Sequence, residues 1–170
     1  MNNIFSKLFQ RKPKDTAMED TSYNNQNLER FLDAQEGVYT TALAEIRAGR
    51  KSSHWIWYIF PQMRGLGHSY NSEYYGIESL EEAREYLHHE VLGERLREIT
   101  GALLEHRNKS ATDILGEIDA MKLRSSMTLF DMASPNDIFA EVLDVFYEGN
   151  RCKHTLRKFS IGDETTQTEN

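Results

Sequence analysis

Apolar residues recur every three to four positions along most of this chain, and that spacing leaves few folds open to it. Ile138, Phe139, Val142, Leu143, Phe146 and Tyr147 fall on one stripe, because 3.6 residues per turn returns such positions to the same helix face. Leu28, Phe31, Leu32, Gln35, Val38, Tyr39, Ala42, Leu43 and Ile46 do the same and predict one long helix from Asn27 to Ala48. Gly49 would stop it, since glycine takes the left-handed conformation at a helix C-terminus with little strain. Leu92, Leu96, Ile99, Leu103 and Leu104 predict a helix from Val91 to His106. The fold class expected is all-α: an irregular, single-domain helical bundle of about six to eight helices.

Local signals place the other elements. In "SLEE", Ser79 can cap a helix while Glu82 reaches back, a capping box that starts a helix running to His88. Thr112 to Leu115 reads as one turn, and Asp119 to Met132 as a helix. In "SPND", Ser134 is the expected cap and Pro135 the first helical residue. A last short helix is expected from Cys152 to Phe159. "HWIWYIF", His54 to Phe60, suits a strand by propensity, but a single strand would have no partner, so a short helix ending before Pro61 is expected. Residues 61–78, with Gly65, Gly67 and Gly76, read as a loop.

A chain of 170 residues holds one domain with tails. Residues 1–25 are polar with little periodicity and read as a disordered tail. "MNNIFSKLFQRKPK" also has the makings of a short basic amphipathic helix for a membrane surface, but not of a secretory signal. Residues 161–170 read as a second tail, leaving 26–160 as the domain. With no apolar run near the length of a membrane helix, no membrane span is expected. The net charge of −7 argues against broad nucleic-acid binding. The one cysteine, Cys152, excludes an intrachain disulfide and a cysteine-rich zinc site; a reducing cytoplasm fits. As a catalytic nucleophile it is the lesser reading beside a packed or exposed thiol.

"GRKSSHWIWYIFPQMRGLGHS", Gly49 to Ser69, carries the densest chemistry. Ile56, Ile59 and Phe60 read as core. Trp55 and Trp57 each have an indole N–H that needs a partner when buried, and either could offer a flat face to a base or sugar. Arg50, Lys51 and His54 sit at a helix C-terminus, where cations also complement the dipole. In the following loop, Gln62 offers amide readout, Arg64 a planar fork for phosphate or carboxylate, and His68 and Ser69 further hydrogen bonds. The G-K-[ST] ending of a phosphate-binding loop is absent.

"DAMKLRSS" is a second polar cluster. Asp119 and Lys122 are three apart and Lys122 and Ser126 four apart, so each pair shares a helix face. A lysine–serine pair resembles a nucleophile and its base, although serine in a helix interior commonly serves close packing or bonds a preceding carbonyl. Among the histidines, His88 and His89 are adjacent, His106 and His154 stand apart, and no H-E-x-x-H occurs. No metal and no cofactor are expected.

The stretches "GRKSSHWIWYIFPQMRGLGHS", "YYGI", "EAREYLHHEVLGERL" and "DAMKLRSSMTLF" resemble the bacterial family catalogued as domain of unknown function 1810, over Leu28 to Phe159. That resemblance implies an all-helical fold and brings no activity with it. "ERFLDAQ", Glu29 to Gln35, is similar to the E-x-[YF]-[FL]-x-A-Q opening of the NADAR family, which Gly49-Arg50 and "DAMKLRSSM" also echo. That second similarity implies cleavage of N-glycosidic bonds in ADP-ribose-type compounds, with Glu29 as the matching acidic residue.

Two functions follow as expectations. One is the binding of an anionic, nucleotide-like small molecule by Arg50, His54, Trp55, Trp57, Gln62, Arg64, His68, Ser69, Lys122 and Ser126. Glu29 or Asp119 would serve as catalytic carboxylate if an N-glycosidic bond is hydrolysed. The other is a non-catalytic helical interaction module that presents an exposed apolar patch. His54, Gln62 and Arg64 are expected to meet one tryptophan in a single cleft. The substrate and oligomeric state are not legible in the sequence.

Overall fold

The computed structural model describes residues 28–164. Ten helical segments follow one another: α1 (28–35), α2 (Tyr39–Arg47), α3 (Ile56–Ile59), α4 (Tyr70–Tyr74), α5 (Leu80–His88), α6 (Glu90–Leu104), α7 (Ala111–Leu115), α8 (Glu117–Ala133), α9 (Ile138–Tyr147) and α10 (Lys153–Glu164). The all-α bundle expected from the apolar spacing is what forms. The two longest helices organise it. α8 packs against α9, α5, α7, α10 and α3, while α6 packs against α5, α2 and α9. Phe31, Trp55, Phe60, Tyr86, Leu123, Phe130 and Phe139 are among the side chains fully buried between them. None of the described helices is long and apolar enough to cross a membrane. The expected tail at 1–25, with its amphipathic alternative, lies outside the described residues.

The expected helix from Asn27 to Ala48 is broken. Gly37 has φ +72°, and the turn at 36–38 separates α1 from α2. Left-handed backbone is nearly free for glycine and costly for residues with a Cβ, so the apolar stripe continues while the axis does not. Gln35, which sits on that stripe, is buried at the break. Its amide donates to the Tyr58 carbonyl at 2.8 Å and the Tyr86 hydroxyl at 3.1 Å.

Residues 61–78 are more ordered than a loop. The N–H of Arg64 donates to the Ile77 carbonyl and the N–H of Ile77 to the Gln62 carbonyl, both at 2.9 Å. This makes one parallel bridge, Met63 with Ile77. Between the paired residues lies α4, whose first turn is capped by Ser69 accepting from the Ser72 N–H. Gly76 permits the pairing: a Cβ there would lie 2.6 Å from the Arg64 Cα.

Two caps differ from expectation. Asp137, not Ser134, caps α9, accepting from the Ile138 N–H at 2.7 Å. Ser134 instead donates to the Asp137 carboxylate at 2.8 Å, so Pro135 lies in the turn before the helix. At α5, Ser79 accepts from the Glu82 N–H as expected. Glu82 reaches one residue further back, to the N–H of Glu78, and pairs with Arg30 at 2.6 Å. The backbone of α10 continues past Phe159 to Glu164, so residues expected to begin a tail are helical.

Candidate functional site

α8 supplies one wall of a groove. Ile118, Met121, Lys122 and Ser125 recur at helical spacing, i, i+3, i+4 and i+7, and so lie on one face. Arg124 joins them, the bridge segment contributes Gln62, Leu66 and Gly67, and the start of α10 contributes Cys152 and His154. The groove encloses about 340 Å³, the lower part of the range for small-molecule sites. Against it lies a small pocket of about 10 Å³, lined by Ile56, Trp57, Phe60, Tyr75 and others. Gln62 and Lys122 line both spaces.

The polar groups of these walls are under-used by the protein itself. Gln62 is only 8 % exposed, yet its side-chain amide has no hydrogen-bond partner among the described residues. The Nε of Arg124 and the Nε1 of Trp57 are buried without a partner among them. Buried donors of this kind are uncommon, because each costs about 1–3 kcal/mol when unmatched. Arg124 and His154 form no ion pair among the described residues. Lys122 stands over the Trp57 ring at 5.0 Å and approaches Asp119 at 3.8 Å. Among the described residues the lining therefore contains Lys122, Arg124 and His154 and no carboxylate, although the chain as a whole carries −7.

Cys152 completes one side of the groove. Its sulfur lies 3.4 Å from the Ser125 hydroxyl, whose one proton is shared with the Met121 carbonyl at 3.2 Å, and its N–H donates to Thr128 Oγ1 at 3.0 Å. Burial alone would raise the thiol pKa. Hydrogen bonds from the Ser125 hydroxyl and from the N–H groups of Thr155 and His154 outweigh it, holding the thiol below its ordinary value.

Of the residues expected from sequence, Trp57, Gln62 and Lys122 meet here. Trp55 does not: its ring is fully buried, its N–H donates to Glu45 at 3.2 Å, and Lys51 covers it at 5.0 Å. His54 is exposed and lines neither space. Arg64 turns away; its Nε donates to the Glu73 carbonyl at 3.0 Å and its Nη1 pairs with Glu78. The expected meeting of His54, Gln62 and Arg64 in one cleft therefore does not occur. Arg50 borders a separate polar depression with Lys51 and Lys109. His68 is exposed, Ser69 caps α4, and Ser126 is fully buried in the interior with no partner for its hydroxyl among the described residues. Asp119 is held by Lys51 at 2.8 Å, and Glu29 is exposed on α1.

Sequence reasoning missed Ile118, Met121, Arg124, Ser125 and His154 as groove residues. The available signal was the apolar pair Ile118 and Met121 on an otherwise polar face of α8, 70 % and 60 % exposed. Among the described residues, no three His, Cys, Asp or Glu side chains gather as a metal site would require.

Comparison with known proteins bears on the whole domain. The crystal structure of the conserved hypothetical protein Rv1873 from Mycobacterium tuberculosis is similar, with a TM-score of 0.77 and 45 % sequence identity, over 79 % of this chain and 96 % of that one. None of the curated proteins matches. Residues 25–159 match the family described as "Protein of unknown function (DUF1810)", and the chain belongs to that family.

Proposed function

We propose that the groove between α8, the bridge segment and the start of α10 binds a small anionic molecule with a flat or apolar portion. The observation that carries this reading is the convergence of donors from separate elements: the amide of the buried residue Gln62 and the unmatched Nε of Arg124, with Lys122 and His154 beside them and no carboxylate among the described lining residues. An anion would satisfy these donors with charge-assisted hydrogen bonds, the stronger kind. Ile118, Met121 and Leu66 supply apolar surface for the rest of the ligand. A nucleotide-like compound fits this division.

Hydrolysis of an N-glycosidic bond, implied by the resemblance to NADAR, finds less support. It needs a carboxylate facing the ligand. Asp119 is engaged with Lys51, and neither it nor Glu29 lines the groove. Exposed Ile118 and Met121 favour the second reading, a helical interaction module. The concave shape and the buried unmatched donors favour a small ligand over a flat partner.

A thermal-shift series with ADP-ribose, AMP, inorganic phosphate and uncharged adenosine tests the reading. A ligand that binds only the folded state stabilises it by about 2.7 kcal/mol at a hundredfold excess over Kd. The anionic nucleotides should raise Tm and adenosine should not. If adenosine raises it equally, the cationic groups are not what binds; if nothing does, the reading fails.

A further inference from the structure

We propose that Cys152 is a modification site of this groove, a thiol oxidised by small hydroperoxides to the sulfenic acid. The inference rests on the groove being open to a ligand, as proposed above, but not on which anion occupies it.

Placement is the first ground. Cys152 is only 6 % exposed, yet it lines the groove. Its main chain is pinned on both sides: the N–H donates to Thr128 Oγ1 at 3.0 Å, and the carbonyl accepts from the Leu156 N–H at 3.1 Å. The sulfur lies 3.4 Å from Ser125 Oγ and stands at the start of α10, a helix of 12 residues. The Ser125 hydroxyl and the N–H groups at the start of α10 favour the thiolate.

A second, independent ground is Gln62. More than nine-tenths of this residue is buried, and its amide lines the same groove with no partner among the described residues. With the unmatched Nε of Arg124, it offers donors to an oxygen that gains negative charge inside the groove.

The step balances without another reactant. The thiolate sulfur attacks the terminal peroxide oxygen, an S–O bond forms and the O–O bond breaks. Sulfur is oxidised by two electrons and the peroxide is reduced by two. The departing alkoxide or hydroxide takes up the proton that the thiol released on ionising, so thiol and hydroperoxide give sulfenic acid and alcohol or water. The chain has one cysteine, so no second thiol of the same chain can condense with the product. The sulfenic acid persists until an external thiol meets it.

The test treats the reduced full chain with hydrogen peroxide and traps sulfenic acid with dimedone, following the Cys152 peptide by mass spectrometry. The same chain unfolded in urea at the same pH gives the reference rate of an ordinary thiol, mostly protonated near neutrality with its pKa of about 8.5. The folded chain should react roughly tenfold faster or more. Cys152→Ser should give no adduct. Ser125→Ala should slow the folded-state reaction while leaving the helical circular dichroism unchanged. A folded rate equal to or below the unfolded one makes Cys152 a packing residue and overturns the proposal, even if AMP raises Tm. A fast folded rate in a protein that AMP and ADP-ribose leave unaffected sustains this proposal and sinks the anion-binding reading instead.

Discussion

Lys51 and Asp119 meet at 2.8 Å, and this ion pair ties the segment leading into α3 to the first turns of α8. The Lys51 side chain is only 7 % exposed and stands over the Trp55 ring. Its charge is therefore largely, though not wholly, withdrawn from water. Asp119 is a structural counter-ion here, which explains why an acidic residue beside the groove does not face it.

Asp119→Asn should destabilise the fold, because it leaves a largely buried ammonium without its countercharge. Removing one partner of a buried pair costs about 3–5 kcal/mol, and the part-exposed Asp119 places this case near the lower end. A loss of Tm of roughly 5–10 °C follows for a domain of this size. Asp119→Asn together with Lys51→Met should recover much of it. An unchanged Tm in the single variant would show that the pair contributes nothing.

Glu45 gives the fold an acid limit. Burial alone would raise its pKa, but hydrogen bonds from the Ser53 hydroxyl, the N–H groups of Ser52 and Ser53 and the Trp55 indole outweigh it, lowering the pKa from 4.5 to about 2. A carboxylate with a depressed folded-state pKa contributes stability above its unfolded pKa and loses it as pH falls through the folded value. Its contribution should be complete at pH 7, decline from about pH 5 and be gone near pH 2. Urea unfolding of wild type and Glu45→Gln across that window measures it. The difference between the two should shrink steadily on acidification; a constant difference would assign the effect of the substitution to packing.

Arg64 should prove structural. Its guanidinium serves Glu78 and the Glu73 carbonyl, and its own carbonyl accepts from Lys158 at 2.8 Å. The pair is substantially exposed, so Arg64→Ala should cost about 1 kcal/mol. AMP or ADP-ribose affinity should not change. A tenfold loss of affinity with an unchanged Tm would return Arg64 to the binding site.

The helices were legible because their signal is local. Ile138 to Tyr147 or Leu92 to Leu104 need only their own spacing to declare a buried face. The break at Gly37 was hidden because the apolar stripe runs through it; a glycine in a helical pattern does not reveal which φ it takes. The bridge of Met63 with Ile77 joins residues across α4, and no local pattern encodes that pairing. For the site, Trp57, Gln62 and Lys122 were visible by residue type. Arg124 and His154 were not, because what such a side chain does depends on which carboxylates lie near it. The same fact misdirected the reading of Arg64, whose partner Glu78 lies across the bridge.

The central claim is that Arg124 and Gln62 hold an anion, and calorimetric titration of ADP-ribose into wild type, Arg124→Gln and Gln62→Leu tests it most directly. Losing a charge-assisted hydrogen bond costs about 1.5–3 kcal/mol, so Arg124→Gln should weaken binding roughly tenfold to a hundredfold. Because this removes a donor that has no partner among the described residues, Tm without ligand should stay the same or rise. Gln62→Leu should likewise weaken binding without lowering Tm. Wild-type affinity in both variants, or a loss of affinity only in step with a loss of Tm, would contradict the account.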